Sequence, residues 1–319
     1  MRFLSRRVLF FALSVGLFGS LRARESGPTT EDPYLWLEDI EGAKQLEWVK
    51  QQDDVTAKRL TARPEYDALY RDALAVLDSA SRIPEVTQRG KYLYNFWRDR
   101  DHPRGIYRRA TFEEFRKENP KWETVLDVDA LAKAEDKPWA FGGAIWLRPD
   151  NRRCLIQLAP GGGDASEVRE FDAEALKFVE GGFMVPSAKS RIAWLDLNTL
   201  YVGTDFGPDT LTKSGYPRIV KVWKRGTPLA DAKVLYEGEA TSVTSAAHRV
   251  RMAEGDVDLV TESLTFWTEK VFQVIDGKLQ LLAVPLTARV VDGYRGKLVI
   301  WLKENWAVGG TTYTAGSVV

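Results

Sequence analysis

A long succession of short, alternating segments constrains the fold of this chain more than any other feature of its sequence. From Arg82 onward, about sixteen stretches alternate apolar and polar side chains with a period of two, as strands do. Turns rich in Gly, Pro, Asp or Asn separate almost all of them, such as Pro149-Asp150-Asn151 and Asp276-Gly277. No helix of useful length is predicted between them, so alternating strand–helix units are not expected. The candidate strands are Lys91–Trp97, Ile106–Arg109, Glu123–Leu126, Phe141–Leu147, Arg153–Leu158, Val168–Phe171, Ile192–Asp196, Thr199–Thr204, Arg218–Trp223, Lys233–Tyr236, His248–Met252, Val257–Ser263, Lys270–Ile275, Lys278–Leu282, Ala288–Asp292 and Lys297–Leu302.

These candidate strands group in fours. Trp-rich starts recur near Trp97, Trp146, Trp194 and Trp267, and each group covers roughly 45–55 residues, close to the period of propeller blades. Residues 82–319 therefore predict a mainly β fold, an incomplete β-propeller of about four to five blades. A two-sheet sandwich stays open on the pattern alone. We also expect the segment Leu302–Val319 to stop inside a repeat without a closing element.

Two different segments precede the strands. Residues 1–27 have the layout of a secretory signal peptide, because a basic start with Arg6 and Arg7 leads into an apolar run from Val8 to Phe18. That run is too short to span a bilayer, so a periplasmic or secreted location is predicted, with retention as a membrane anchor as the alternative. Residues 28–81 form a short helical segment, with two helices predicted within Glu41–Ala80 from apolar residues at helical spacing.

Composition and charge argue against several classes of partner. The chain has 45 basic and 45 acidic side chains, and this balance argues against a nucleic-acid partner. Cys154 is the only cysteine, so neither an internal disulfide nor a cysteine-based metal cluster is expected. Its position in a strand-like run predicts a buried, inert thiol. No metal and no cofactor are predicted.

No serine in the sequence has the context of a nucleophile. A hydrolase elbow of the form Gly-x-Ser-x-Gly is absent from the sequence, and Ser166, which follows a Gly-rich run, is favoured as a turn residue. The two histidines, His102 and His248, are predicted in a surface loop and at a strand edge, and a triad would also need an orienting carboxylate. We therefore predict no catalytic, cofactor-binding or metal-binding residues, and whether this chain is itself an enzyme stays open.

Three further patterns have weak functional interpretations. Four carboxylates near predicted blade edges, Asp150, Asp196, Asp205 and Glu262, match the residue type of a glycosidase pair, but solvated turn positions are favoured. A basic cluster is interleaved with two aspartates, and a self-paired surface is favoured over a funnel that attracts peptide C-termini. Its members are Arg98, Arg100, Arg104, Arg108 and Arg109. The tripeptide Asp205-Phe206-Gly207 lacks the other kinase motifs and is read as a strand turn.

An ordered series of motifs resembles the N-terminal part of the prolyl oligopeptidase family of serine peptidases. The segment Asp32–Asp39 resembles the start-of-domain motif of that family, and Tyr92–Trp97 with Gly105–Arg109 resembles its first blade. Later segments follow the blade order of the family: Arg169–Asp172, Gly182-Phe183, Trp194–Asp196, Thr199–Gly207, Leu211–Arg218 and Val222–Leu229. Together these matches span about Asp32 to Trp306, and an ordered series is more specific than any single motif.

The resemblance implies a seven-bladed type of propeller inserted into an α/β-hydrolase. In that family the N-terminal helices, here residues 28–81, pack on the hydrolase domain, which carries the Ser, Asp and His and is expected to be missing from this truncated chain. The resemblance implies that the propeller restricts access to short peptides, and that the parent enzyme hydrolyses oligopeptides, typically after proline, by acyl transfer. The implied partners are an oligopeptide substrate and the hydrolase domain. The alternative is a free-standing periplasmic propeller that acts as a binding or scaffold protein.

Overall fold

The computed structural model describes residues 32–79 and 81–319. Within them the chain divides into two compact units, with the boundary between Arg71 and Asp72. The predicted signal peptide, residues 1–27, lies outside the described residues. In the described ranges, no helix combines the length and the apolar character needed to cross a membrane. The predicted domain boundary between residues 81 and 82 stays a prediction.

Two helices near the N-terminus match the helical segment predicted there. A 3₁₀ turn, Leu35–Glu38, precedes α1 (Ala43–Thr61), and α2 covers Tyr66–Leu77. The ring of Trp36 meets that of Trp48 edge-on, with centroids 6.1 Å apart, so the turn packs against α1. No residue of either helix is buried. Their exposed apolar residues are Leu46, Val49, Val55, Leu60, Leu69, Tyr70, Leu74, Val76 and Leu77.

Four antiparallel sheets follow, each built from consecutive strands, and we refer to them as blades 1 to 4. Blade 1 comprises β1 (Thr87–Arg89), β2 (Tyr92–Trp97), β3 (Ile106–Thr111) and β4 (Glu123–Asp127). Blade 2 comprises β5 (Trp139–Trp146), β6 (Arg153–Pro160), β7 (Ser166–Asp172), β8 (Lys177–Phe178) and β9 (Met184–Ala188), with β8 and β9 both paired to β7. Blade 3 comprises β10 (Arg191–Asp196), β11 (Thr199–Gly203), β12 (Ile219–Lys224) and β13 (Lys233–Glu237). Blade 4 comprises β14 (Thr244–Val250), β15 (Val257–Ser263), β16 (Glu269–Ile275) and β17 (Lys278–Leu281).

Two hairpins complete the described chain. The first joins β18 (Arg289–Tyr294) to β19 (Lys297–Trp301), and the second joins β20 (Trp306–Val308) to β21 (Thr311–Tyr313). The last residues return to β19, since Ile300 and Val319 exchange backbone hydrogen bonds of 2.8 and 2.9 Å. The segment Leu302–Val319, predicted to lack a closing element, therefore pairs locally. Among the described strands none joins these hairpins to blade 1, so the sheets do not close into a ring.

The mainly β fold and the incomplete propeller are confirmed, while the predicted Trp repeat is wrong. Trp146 and Trp194 lie on first strands, but Trp97 lies on the second strand of blade 1, and Trp267 lies in the exposed turn between β15 and β16. The real repeat is the start of each first strand, which recurs about every 50 residues, because the antiparallel sheet and not a particular side chain is the repeating unit.

Two short helices also interrupt the strands, where the sequence predicted none of useful length. They are α3 (Phe112–Phe115) and α4 (Val128–Glu135). Each begins directly after a strand, at a residue whose side chain caps the helix. Thr111 Oγ1 accepts from Glu114 N at 3.2 Å, and Asp127 Oδ1 accepts from Ala130 N at 2.8 Å. The strand ladders nevertheless all remain antiparallel.

The hydrophobic core lies at the seams between consecutive blades. The seam between blades 1 and 2 contains eleven buried residues, among them Trp139, Cys154 and Leu158. The seam between blades 2 and 3 is of similar size, whereas the seam between blade 4 and β18–β19 contains three. Each blade therefore buries its apolar face against its neighbours in the chain, as the layers of a propeller do.

An arginine also crosses each seam. Arg109 Nη1 donates to Ala173 O in blade 2 at 2.5 Å, and Arg249 Nη1 in blade 4 donates to Leu195 O in blade 3 at 3.0 Å. Arg225 donates to both carboxylate oxygens of Glu170 at 2.7 and 3.0 Å. Arg289, on β18, pairs with Glu269 in blade 4 at 2.9 Å. These contacts connect polar groups that the apolar seams would otherwise leave unpaired.

Candidate functional site at the first strands of the blades

The first strands of successive blades meet around one cavity, which we call the channel cavity. It has a volume of about 310 Å³ and receives residues from β5, β10, β14 and β18 or the residues just after them. Its aromatic wall consists of Trp146 and Trp194, and Trp194 Nε1 donates to Ile145 O at 2.9 Å, which joins blades 2 and 3. Polar groups on its lining are Arg148, His248, Arg249, Arg251 and Asp292. The cavity combines flat apolar walls with a few charged groups, as ligand-binding clefts do.

Two of the three arginines that line the cavity form ion pairs with aspartates of the same blade. Arg249 donates to both oxygens of Asp258, at 2.7 and 2.6 Å, and Arg251 pairs with Asp256 at 3.1 Å. Both guanidinium groups also donate to the backbone carbonyl of Leu195, at 3.0 and 3.1 Å. These paired charges hold blade 4 against blade 3. Arg148 has no hydrogen bond or ion pair with any described residue and is exposed.

His248, predicted at a strand edge, lies inside β14, opposite Leu259. Burial lowers the pKa of His248 although the nearby charge of Asp258 acts in the opposite direction, so the ring is neutral at neutral pH. Among the described residues no serine hydroxyl hydrogen bonds to this ring. His248 therefore lines the channel cavity as a neutral imidazole without a nucleophile beside it.

His102 forms a histidine–carboxylate pair within its loop. Its Nδ1 lies 3.0 Å from Asp99 Oδ1, and Trp97 Nε1 donates to Asp99 Oδ2 at 2.9 Å. Burial acts to raise the pKa of Asp99, but hydrogen bonds from His102 and Trp97 outweigh it and the pKa is lowered. Ser166 lies elsewhere, at the start of β7 and opposite Ala188. The structure thus joins a base to a carboxylate but brings no serine to them.

The four glycosidase-type carboxylates are not brought together around a shared cavity. Asp150, Asp196 and Asp205 each accept a hydrogen bond from a backbone N–H two residues further along, as turn residues do. Glu262 is buried and accepts from Tyr236, Ser242 and Lys270 side chains and from one backbone N–H. In the part of the chain that the structure describes, no group of three His, Cys, Asp or Glu side chains is arranged to hold a metal ion.

Most arginines of the predicted basic cluster contact other groups of this chain. Arg108 is stacked between the rings of Trp97 and Trp122, 4.3 Å from each centroid, and burial lowers its pKa to about 10. Arg109 pairs with Glu123 at 2.6 Å, while Arg98 and Arg104 donate to backbone carbonyls. Only Arg100 is left without such a contact among the described members. This cluster therefore does not form the open basic funnel that was the alternative hypothesis.

The cysteine behaves as its sequence context predicts. Cys154 lies in the seam between blades 1 and 2 and is fully buried. Burial raises the pKa of its thiol, so a reactive thiolate is not available at neutral pH. Sequence reasoning missed three arginines that line the channel cavity, Arg148, Arg249 and Arg251. Their signal would have been their position, since each lies at or just after the end of the first strand of a blade.

Comparisons with known proteins identify this architecture. A family model described as the N-terminal β-propeller domain of prolyl oligopeptidase matches residues 22–303. The uncharacterized peptidase y4nA of Sinorhizobium fredii is 37% identical over 296 residues, which cover 90% of this chain and 41% of that protein. The uncharacterized peptidase RP174 of Rickettsia prowazekii is 27% identical and is covered over 45% of its length. The chain thus spans less than half the length of these curated relatives.

Solved structures of peptidases have the same fold as this chain. The structure of a post-proline cleaving enzyme from Rickettsia typhi superimposes with a TM-score of 0.83 at 26% identity, over 89% of this chain and 43% of that one. Oligopeptidase B from Leishmania major has the same fold, with a TM-score of 0.61 at 17% identity. The matched part of each structure is therefore less than half of the solved chain.

Proposed function

The chain belongs to the prolyl oligopeptidase family through its N-terminal β-propeller domain, and from this premise we propose that it gates the substrates of an oligopeptide-hydrolysing serine peptidase. In this proposal the propeller admits short peptides and excludes long polypeptides, while an α/β-hydrolase domain outside the described residues supplies the nucleophile. The peptide bond is then cleaved after proline by acyl transfer to serine.

One observation supports the gating role above all. The channel cavity lies between first strands that belong to consecutive blades, and its volume of about 310 Å³ suits a few extended residues and no folded domain. The seams between blades 2 and 3 and between blades 3 and 4 are packed with buried side chains, so these blades cannot separate without exposing the core. Packed seams of this kind give the cavity a rigid wall, which a size filter requires.

No serine hydroxyl of the described residues hydrogen bonds to either histidine, which is consistent with a second domain as the source of the nucleophile. The exposed apolar stripes of α1 and α2 support it as well, because such stripes are stabilised by burial against a partner surface. The free-standing binding or scaffold propeller explains neither the family membership nor these stripes, and we do not favour it.

We also propose a periplasmic or secreted location from the basic and apolar pattern of residues 1–27. Mass spectrometry of the N-terminus of the protein in a periplasmic fraction is expected to show cleavage near residue 27. Recovery of the uncleaved chain in the cytoplasm would contradict this location.

The experiment for the gating role compares two substrates. The C-terminal part of the Sinorhizobium fredii relative, beyond the region matched here, is expected to hold a hydrolase domain, and it is assayed with and without this chain. We expect the chain to leave cleavage of a short proline-containing peptide unchanged and to suppress cleavage of unfolded casein at least tenfold. Equal cleavage of both substrates in the presence of a bound chain would overturn the gating role.

A second measurement addresses the source of the nucleophile. The purified 319-residue chain alone is expected to show no labelling by a fluorophosphonate serine probe and no hydrolysis of the same peptide. Labelling at any serine would show that this chain carries a nucleophile. Sequencing the gene beyond the codon of Val319 is expected to reveal a Gly-x-Ser-x-Gly elbow.

A further inference from the structure

The lining of the channel cavity contains one cation and one anion that both lack an ionic partner. Arg148 follows β5 in blade 2, and its side chain has no hydrogen bond or ion pair with any described residue. Asp292 lies on β18, and its carboxylate accepts only the N–H of the next residue, Gly293, at 2.8 Å. Both side chains are exposed and line the same cavity, and they form no ion pair with each other. Both charges are therefore available to a ligand.

The other charged groups of the lining cancel one another. Arg249 pairs with Asp258 at 2.6 Å. Arg251 pairs with Asp256 at 3.1 Å, and His248 adds no charge at neutral pH because burial lowers its pKa. The lining as a whole is therefore neutral, with one free charge of each sign on different sheets. Charge complementarity then favours a ligand that carries both charges over a simple anion or a simple cation.

The spacing of the two free charges narrows the ligand class. Because Arg148 and Asp292 form no ion pair, their charged atoms lie too far apart to neutralise each other directly. In a free amino acid the ammonium and carboxylate groups share one carbon atom, whereas in a peptide at least one peptide unit separates them. A short peptide with two free ends therefore matches this lining better than an amino acid. The cavity of about 310 Å³ lies at the lower end of the range of ligand pockets, about 300–1,000 Å³, which suits a ligand of a few residues.

The remaining walls suit the middle of such a peptide. Trp146 and Trp194 offer flat apolar surfaces to a side chain or a proline ring. Val290 and Val291 are consecutive residues of β18 that both line the cavity, although consecutive side chains of a strand point to opposite faces. The edge of β18 therefore borders the cavity. Among the described strands β18 pairs only with β19, so this edge has no strand partner, as recognition of the main chain of an extended peptide requires.

We propose that the channel cavity binds a short zwitterionic peptide, with its carboxylate at Arg148 and its ammonium group at Asp292. This inference rests on the proposed function, since short peptides with two free ends are what an oligopeptide-hydrolysing enzyme releases. The site fixes the direction of the peptide, because only one orientation brings each end to the opposite charge. It also favours short peptides, because both ends have to reach their partners within one cavity.

The experiment measures binding of one tripeptide, Ala-Phe-Pro, to the 319-residue chain by isothermal titration calorimetry at neutral pH and low ionic strength. Four forms are compared: the free peptide, the N-acetylated peptide, the C-terminal amide and the doubly blocked peptide. We expect each block to weaken binding about fivefold, because each removes one ion pair between exposed groups.

Two variants assign each end of the peptide to its partner. Arg148→Gln is expected to lower the affinity for the free peptide about fivefold and to remove the effect of amidation, while acetylation still weakens binding. Asp292→Asn is expected to remove the effect of acetylation and to keep that of amidation. The asparagine side-chain oxygen still accepts from Gly293, so the local turn is preserved. The opposite assignment of the two ends would contradict the proposed direction.

The matched controls are Arg100→Gln and Asp276→Asn. Both residues are exposed, neither is part of the lining, and neither has an ion pair among the described residues. Asp276 has a φ of 48°, a conformation that asparagine also adopts readily, so this substitution changes only the charge. Affinities for all four forms are expected to stay within about twofold of those of the unmodified chain.

Several results would overturn the site. These are equal affinity for the four forms, an equal loss in a control variant, or no binding of the free peptide at millimolar concentration. Binding of free proline as tightly as the tripeptide would reject a peptide as the ligand. Because no hydrolase domain is present in this assay, its failure would leave the gating role to the casein experiment. Loss of size discrimination with intact peptide binding would reject the gating role and retain the site.

Discussion

The helical segment and the blade seams use the same apolar residue types with opposite results. In α1 and α2, leucines and valines form stripes, yet no residue of either helix is buried. In the seam between blades 1 and 2, Leu158 and Ile156 are fully buried. The difference lies in the surface available for packing. Each blade packs its apolar residues against the next blade along the chain. The helices lack such burial and so depend for their stability on propensity and on whatever covers them.

The largest effect on stability is expected when one buried and one exposed leucine are each replaced with alanine. Leu158→Ala is expected to lower the free energy of unfolding of the blades by about 3 kcal/mol, because it removes buried methyl groups and leaves a cavity. Leu69→Ala, at an exposed position of α2, is expected to change it by less than about 0.5 kcal/mol. Urea denaturation followed by Trp fluorescence measures both. Similar losses in the two variants would show that the helices are as well packed as the seams.

The comparison extends to ion pairs. Arg225→Met removes the cation that faces the buried carboxylate of Glu170, which would leave a charge at the seam between blades 2 and 3 without its partner. We expect a loss of roughly 2 kcal/mol, less than for a fully buried pair because part of the Arg225 side chain is exposed.

The control for this ion pair comes from the loop between α1 and α2. Arg63→Met breaks an exposed pair with Glu65 at 3.7 Å and should cost less than about 0.5 kcal/mol. The double variant Arg225→Met with Glu170→Met is expected to recover part of the loss, since no charge is then left unpaired. If Arg225→Met costs no more than Arg63→Met, the seam arginines are dispensable.

The stability of blade 4 is expected to depend on pH through the buried carboxylate of Glu262. Burial acts to raise the pKa of Glu262, but hydrogen bonds from Glu239, Ser242, Tyr236 and Lys270 outweigh it, so the folded-state pKa lies below the ordinary value. Glu262 therefore contributes stability that is present above its unfolded pKa and is lost as the pH falls through its folded pKa. Glu262→Gln is expected to cost about 1–2 kcal/mol at pH 7, with a difference from the unmodified chain that shrinks below about pH 4.

Urea denaturation at a series of pH values measures this difference. Glu254→Gln is the control, since that glutamate is exposed and has no ion pair among the described residues. Its stability curve should run parallel to that of the unmodified chain at every pH. A constant deficit of Glu262→Gln at all pH values would show that the variant acts through packing and not through its charge.

The sequence predicts the blades well because their information is local. All predicted strands occur, since alternation and turn residues are properties of neighbouring positions. The seam arginines were not predictable in this way: Arg225 and Glu170 are 55 residues apart in sequence, and only the sheet topology brings them together. The same reason hid the cavity arginines Arg148, Arg249 and Arg251, while the basic cluster near Arg104 attracted attention through its spacing. The predicted Trp repeat is wrong because the tryptophans occupy different strands or turns in different blades.

Substitutions of exposed leucines in the two helices are expected to have the smallest effect on the stability of the chain. Leu60 and Leu69 line one surface cleft of the helical segment with Tyr66. Replacing both leucines with Gln should change the unfolding free energy of the blades by less than about 0.5 kcal/mol, because neither is buried. If the stripe packs on a hydrolase domain, the same variant should bind the C-terminal part of the Sinorhizobium fredii relative at least tenfold more weakly, as measured by calorimetry. Lys50→Gln with Asp54→Asn removes an exposed ion pair of α1 at constant net charge and should leave this affinity unchanged. Unaltered binding by the leucine variant would assign the partner surface to some other part of the chain and would leave the exposed stripe without a function.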